Sequence, residues 1–286
     1  MAEAVVPRSA SRGAAMQEAS RAGARRASSG RMGLSSPRSV AGWHRLPARA
    51  RGAGPARHRG ARLWGMCGRM AITLPHDAMA QMFEAVPAND LPEVPSYNVC
   101  PTTQIHTVTS AEGTRHLRPM RWGFLPHWYK TPSDGPLLIN ARAETIAEKP
   151  AFRAAAKARR CLVPASGFFE WTKDAEGTRY PWYITRADGA PLAFAGVWQD
   201  WTRGEDSLTT VAVVTTAAND SMGQIHHRMP VVLEPADWPL WLGEAGHGAA
   251  VLMRAAPEDA LVFHRVDRAV NSNRASGPQL IEPIAT

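Results

Sequence analysis

The sequence predicts an α+β fold: a single domain over residues 66–286, built on an antiparallel, barrel-like β-sheet with flanking helices. Three observations predict it. Short runs rich in β-branched and aromatic residues recur along the chain, separated by Pro, Gly, Asn and Asp. Helical spacing is confined to a few brief stretches, so strands and helices do not alternate as a doubly wound parallel sheet would require. Residues 1–65 carry neither period, which places the start of order at Met66.

In chain order, MCGRMAITL reads as a short strand or extended segment, and residues 76–85 (HDAMAQMFEA) have helical spacing. The Pro-rich LPEVPSYNVCPTTQI reads as loop with a short strand. Residues 104–109 and 115–124 alternate and pair as strands, and 137–142 end a further strand that leads into a helix over roughly 143–158. CLVPASGFFEW is a strand broken by Pro and Gly, and YPWYIT, LAFAGVWQDW and LTTVAVVTTAA are three more. IHHRMPVVL is a loop leading into a strand, DWPLWLG starts a helical segment, LVFHRVD is the last strand, and the tail from Asn271 is loop.

The net charge of +8 is unevenly placed. Residues 1–65 hold 13 Arg and no Lys against Glu3 and Glu18, whereas 66–286 hold 20 basic and 23 acidic residues. Nucleic-acid binding by the folded part must therefore rest on local arginines, not on total charge. The Arg/Ala/Gly-rich leader cannot bury enough apolar area to offset its ordering entropy and is expected to be disordered. It could be a basic arm, a transit-like peptide, or upstream DNA translated from a start codon placed too early. Arg without Lys suits GC-rich DNA, and Met66 is an internal start, so the third reading is preferred. No secretory signal and no apolar run of about 18 residues is present, so the expected location is the cytoplasm, with no membrane partner.

The three cysteines, Cys67, Cys100 and Cys161, are odd in number and form no C-x-x-C pair. Neither a disulfide scaffold nor a zinc knuckle fits, and no metal or cofactor is expected. Cys67 directly follows Met66, and a residue this small permits removal of the initiator methionine. Its α-amine and thiol would then share one residue, with reference pKa values of about 8 and about 8.5. An aldehyde meeting this pair can form an imine with nitrogen, and sulfur can close a thiazolidine ring by intramolecular attack.

Other residues offer two readings each. Asn140, in LLINARAET, either caps the following helix or orients a substrate hydroxyl or amine. Glu170, in GFFEW, is either a surface-facing strand carboxylate or a desolvated acid–base group. His226 and His227, in IHHRMP, are not distinguished by spacing, and one could face a site. Arg69, Arg121 and Arg142 could hold a DNA backbone. Trp122, Phe124, Trp128, Phe168, Phe169 and Trp171 could stack on unpaired bases, though most are expected in the core.

Taken together, these segments resemble the SRAP family, the abasic-site processing proteins. The resemblance rests on MCGRM at 66–70, YNVCPT at 97–102, RWGFLPHW at 121–128, INARAET at 139–145, RRCLVPASGFFEW at 159–171, FAGVW at 194–198, VVTTAAN at 213–219 and IHHRMPVVL at 225–233, in one order. It implies that Cys67 crosslinks to the ring-opened sugar of an abasic site in single-stranded DNA, in a DNA-damage (SOS) response. It further implies that Glu170 assists proton transfer, that His226 stabilises the opened sugar and helps reversal, and that Asn140 positions the reacting groups. Arg69 and Arg142 match phosphate-contacting arginines, with Arg121 and Trp171 as further DNA contacts. The partner is abasic single-stranded DNA and the expected state a monomer. While residues 1–65 remain attached, the Cys67 nitrogen is an amide and cannot form an imine. A cysteine-dependent autopeptidase or hydrolase, and a noncovalent single-stranded DNA-binding module, remain open beside this reading.

Overall fold

A computed structural model of the protein describes residues 68–285. The leader expectation and Cys67 itself lie outside the described residues. The strands are β1 (Met70–Ile72), β2 (Ala85–Pro87), β3 (Ser96–Val99), β4 (Gln104–Ala111), β5 (Thr114–Trp122), β6 (Asn140–Arg142) and β7 (Arg160–Ala165). They continue as β8 (Gly167–Lys173), β9 (Arg179–Arg186), β10 (Leu192–Arg203), β11 (Asp206–Ala217), β12 (Arg228–Pro230) and β13 (Leu261–Arg265). The helices are α1 (His76–Phe83), α2 (Arg153–Ala158), α3 (Asp220–Gly223) and α4 (Trp238–Leu242), with short 3-10 turns near the C-terminal end.

The expected α+β, barrel-like architecture is what forms. β11, β10, β7, β4 and β5 pair in turn, and β5 returns to β11, which closes a ring. Most pairings are antiparallel; β11 with β5, β11 with β6, and β2 with β5 are parallel. Side chains such as Ile105, Leu117, Trp122, Leu162, Phe194 and Val213 fill the core, and each contributes about 1.5–3 kcal/mol by burial. A second, fully antiparallel sheet runs β13-β9-β8-β1-β3.

The two sheets share one stretch of chain. β7 belongs to the ring and β8 to the second sheet, with only Ser166 between them. The Ser166 N–H donates to the Ala71 carbonyl at 2.8 Å, and its Oγ accepts from the Thr73 N–H at 2.9 Å, so this corner is tied to β1. Gly167 follows because a Cβ there would stand 2.4 Å from the Tyr183 ring. The break expected in CLVPASGFFEW therefore falls at Ser166–Gly167, and Pro164 stays inside β7.

Two expectations are corrected. The helix expected over 143–158 forms only at Arg153–Ala158. Pro150 lacks the N–H a continuous helix needs and would crowd the carbonyl four residues back, so 143–152 is a run of turns. Asn140 accordingly caps no helix: it opens β6, opposite Val213 of β11. Near the start, α1 stops at Phe83 because Glu84 adopts a left-handed backbone (φ 51°), and the chain turns into β2, a strand not anticipated.

Candidate active site

β11 organises one wall. Its Thr215 lies opposite Arg142 of β6 on one side and Pro230 of β12 on the other. The INAR segment and the HHRMP segment, more than 80 residues apart in sequence, are thereby neighbours of one strand. Arg228 locks them together: its guanidinium donates to Glu144 at 2.5 and 2.8 Å and to the Thr215 carbonyl at 2.8 Å.

Glu170, on β8, is only 4% exposed. This removes the surface-facing reading, and it is rare for a carboxylate. The field of Glu170 reaches His227 and Arg179, raising the basicity of each against the burial that lowers it. His227 also feels His226, Arg228 and Arg142, and its ring lies 4.4 Å from that of His226. Net, burial, followed by His226 and the neighbouring guanidiniums, holds the His227 imidazole below the usual histidine range. Glu170, Arg142 and the paired histidines thus belong to one electrostatic group.

The half-buried His226 is tied through Nδ1 to the backbone of Arg228, 3.1 Å from its N–H and 3.2 Å from its carbonyl. His227 is exposed.

The third side of the group is cationic and aromatic. Trp171 is flanked by Arg179 at 4.8 Å and Arg69 at 5.9 Å from the ring centroid, and its indole N–H donates to Asn271 Oδ1 at 2.6 Å. Arg69 Nη1 donates to Asn98 Oδ1 at 2.5 Å and to the Val270 carbonyl at 2.7 Å. Asn98 Nδ2 in turn holds the carbonyls of Ser272 and Ala275. The C-terminal segment expected to be simple loop therefore braces this side. Arg179, Asn98 and Asn271 were not singled out in the sequence. Asn98 lies within YNVCPT, which marks its segment without marking its role; Arg179 and Asn271 carry no local signal.

Arg69, Arg142, Glu170, Trp171 and His226 belong to this group through ring contacts or electrostatic coupling, and Asn140 sits two residues before Arg142 on the same strand. Arg121 is turned elsewhere: its guanidinium donates to the Gly123 carbonyl at 2.8 Å, and burial lowers its basicity. Of the other aromatic candidates, Trp122, Phe124, Phe168 and Phe169 are core, while Trp128 is 44% exposed. Cys100 and Cys161 are free thiols whose pKa values burial pushes up, so neither is poised as a thiolate. Among the described residues, no group of three His, Cys, Asp or Glu side chains is placed to hold a metal ion.

The chain reaches this group directly. Met70 pairs with Phe168 antiparallel, and the Phe169 N–H donates to the Arg69 carbonyl at 2.9 Å. Moving back along β1 toward Gly68 is therefore moving forward along β8 toward Glu170.

A mixed barrel and a second sheet that together gather a buried carboxylate, an imidazole pair and several guanidiniums beside an indole form a class of site whose charge suits an anionic ligand. The chain belongs to the SRAP family (SOS response associated peptidase), which matches residues 66–273. It is 35% identical over 224 residues to abasic site processing protein YoqW of Bacillus subtilis, covering 76% of this chain and 99% of that one. It is 33% identical over 228 residues to abasic site processing protein YedK of Escherichia coli, covering 77% and 100%. Among solved structures, a phage-related protein of Bordetella bronchiseptica superposes with a TM-score of 0.56 at 30% identity, covering 71% of this chain and 95% of that one. A Bacteroides thetaiotaomicron protein superposes with a TM-score of 0.68 at 23% identity, covering 77% and 100%, and shares the fold.

Proposed function

We propose that this chain processes abasic sites in single-stranded DNA by covalent capture through Cys67, once Cys67 is the first residue. The observation that carries the reading is the antiparallel pairing of β1 with β8, which leads the chain, one peptide bond short of Cys67, alongside the buried Glu170. The names of the relatives, abasic site processing proteins, support the same reading.

The chemistry starts from the ring-closed sugar of an abasic site, a hemiacetal in equilibrium with its aldehyde. Glu170 takes the anomeric hydroxyl proton and returns it to the ring oxygen as the C–O bond breaks, which exposes the aldehyde. The Cys67 amine adds to the carbonyl carbon, and loss of water leaves an imine. The thiol sulfur then adds to the imine carbon while its proton passes to nitrogen, closing the thiazolidine. His226, whose Nδ1 faces the Arg228 backbone, stabilises the opened sugar oxygen through Nε2. Asn140 orients the amine. Arg69, Arg142 and Arg179 hold phosphates, and Trp171 and the exposed Trp128 offer faces to unpaired bases. Such a protein would serve a DNA-damage response.

The test is a chain that begins at Cys67, incubated with a single-stranded oligonucleotide carrying one abasic site and resolved on a denaturing gel. A stable adduct is expected, absent in Cys67→Ala and absent when the Cys67 amine is acetylated. An adduct that persists in either case overturns the reading. Hydrolysis of a segment preceding Cys67 without any DNA would favour the autopeptidase alternative, and salt-sensitive binding with no preference for the lesion would favour the noncovalent one.

A further inference from the structure

Between α2, α4 and the 3-10 turn Ala249–Leu252 lies a cleft of about 400 Å³. Its walls include the buried Ile146 and Trp241 and the half-buried Met253. Arg153 and Lys157 line it as exposed cations beside the exposed His247, and no Asp or Glu does. Arg153 and Lys157 stand four residues apart on α2, where like charges cost the helix stability. No ion pair among the described residues relieves them. Arg160 adds a fixed charge: it is bonded to the Trp241 carbonyl and to the carbonyls of Ala156 and Lys157, and its guanidinium lies 5.9 Å from the Trp241 ring centroid. Beside the cleft, Val251 is 71% exposed. None of Arg69, Asn140, Arg142, Glu170 or His226 lines it.

We propose that this cleft is a docking site for an acidic peptide segment of a partner protein, which inserts one apolar side chain between Ile146 and Met253 while its carboxylates meet Arg153, Lys157 and His247. Charge complementarity selects an acidic partner: four basic side chains surround an apolar floor without one compensating carboxylate. The floor selects a peptide over a nucleic acid. Of the two rings in the lining, the large one, Trp241, is 1% exposed and offers no indole face to a base, which leaves only the small His247 imidazole exposed. Aliphatic and methionine walls instead accept side chains of varied shape. The cleft does not depend on the chemistry proposed for Cys67.

The test uses the full chain and a fluorescein-labelled peptide of three acidic residues followed by Leu-Phe, titrated by anisotropy at about 50 and about 200 mM salt. Saturable binding is expected, weaker at higher salt, with none for a peptide whose acidic residues are replaced by lysine. Arg153→Glu combined with Lys157→Glu is expected to weaken binding about tenfold or more, and Ala250→Trp, which fills the cleft from its exposed side, to weaken it without reversing charge. Circular dichroism and melting of both variants check that they fold. Adduct formation on abasic DNA is measured in parallel on chains that begin at Cys67 and carry the same substitutions, and is expected to be unchanged, so that failure of the catalytic reading and failure of this one separate. Absence of peptide binding, equal binding by the charge-reversed variant, or displacement of the peptide by oligo-dT overturns the proposal, the last assigning the cleft to DNA.

Discussion

Arg228 grips the Glu144 carboxylate with both terminal nitrogens, at 2.5 and 2.8 Å, and so joins the turn after β6 to the start of β12. The two ends of the pair differ in environment. Arg228 is 9% exposed, whereas the Glu144 side chain is 46% exposed. The hydrogen bonds from Arg228 hold the Glu144 carboxyl down at about 2, from an ordinary 4.5. A depressed carboxylate stabilises the fold above its unfolded pKa and loses that contribution as pH falls through its folded pKa. The stabilisation is therefore present at pH 7 and lost between about 4.5 and about 2. Glu144→Gln is expected to cost about 1 kcal/mol at pH 7, discounted for the screening of a half-exposed carboxylate, and to flatten the stability profile below pH 4.5. Urea titrations at several pH values check this; an unchanged acid slope would count against the pair.

Glu170 carries the heaviest demand in the proposed chemistry. Glu170→Gln keeps its shape and burial but removes its ability to accept a proton. Single-turnover adduct formation is expected to slow by about 10²–10⁴-fold, with affinity for abasic-free single-stranded DNA retained. An unaltered rate, with a melting temperature equal to the parent's, would take Glu170 out of proton transfer and leave it as a buried structural carboxylate.

The strands were legible where alternation and β-branched content are strong, as in β4, β5, β10 and β11. β2 was not, because Ala85–Pro87 follows a helical run and is only three residues long. The helix over 143–158 was overread because its Ala-rich composition outweighed Pro150. At the site, Glu170 was legible as a chemical type and alternation puts it on the face of Phe168, but its burial was not legible: Phe168 and Phe169 are both buried, so β8 is covered on each side, and alternation alone does not distinguish that from one open face. Arg179 illustrates the remainder. Its meeting with Trp171 depends on the β8–β9 register, in which it lies opposite Lys173, and nothing in TRYPWY announces it.

That register gives Arg179 a measurable consequence. Arg179 and Arg69 carry like charges beside Trp171, and burial first, with Arg69 adding to it against Glu170, loosens the Arg179 guanidinium's hold on its proton. A backbone phosphate bound there would relieve that repulsion. Arg179→Gln is expected to weaken single-stranded DNA binding and to reduce the log–log salt slope by about 0.7, one phosphate contact on a single strand. Arg121→Gln, whose guanidinium is turned onto the Gly123 carbonyl, is expected to leave the slope alone. Anisotropy titrations across a salt series decide both; identical slopes for Arg179→Gln and the parent would place the phosphates elsewhere.

His106 provides an acid response separable from that of Glu144. It is 1% exposed within the core region of β4, 5.1 Å from the His76 ring. Burial first, and His76 second, push its pKa down to about 4 from 6.5. Here the unfolded chain binds the proton more readily than the folded one, so stability is complete above about 6.5 and declines as pH falls to about 4, below which the loss is constant. The drop across that window amounts to roughly 3 kcal/mol. Glu144 acts lower, between about 4.5 and about 2, so the two windows barely overlap. His106→Leu, apolar and of similar volume, is expected to abolish the upper limb while sparing the lower, and Glu144→Gln to do the reverse. Chemical denaturation from pH 7.5 to pH 3 distinguishes them, and a decline between pH 6.5 and pH 4 that survives His106→Leu would assign that limb to a different histidine.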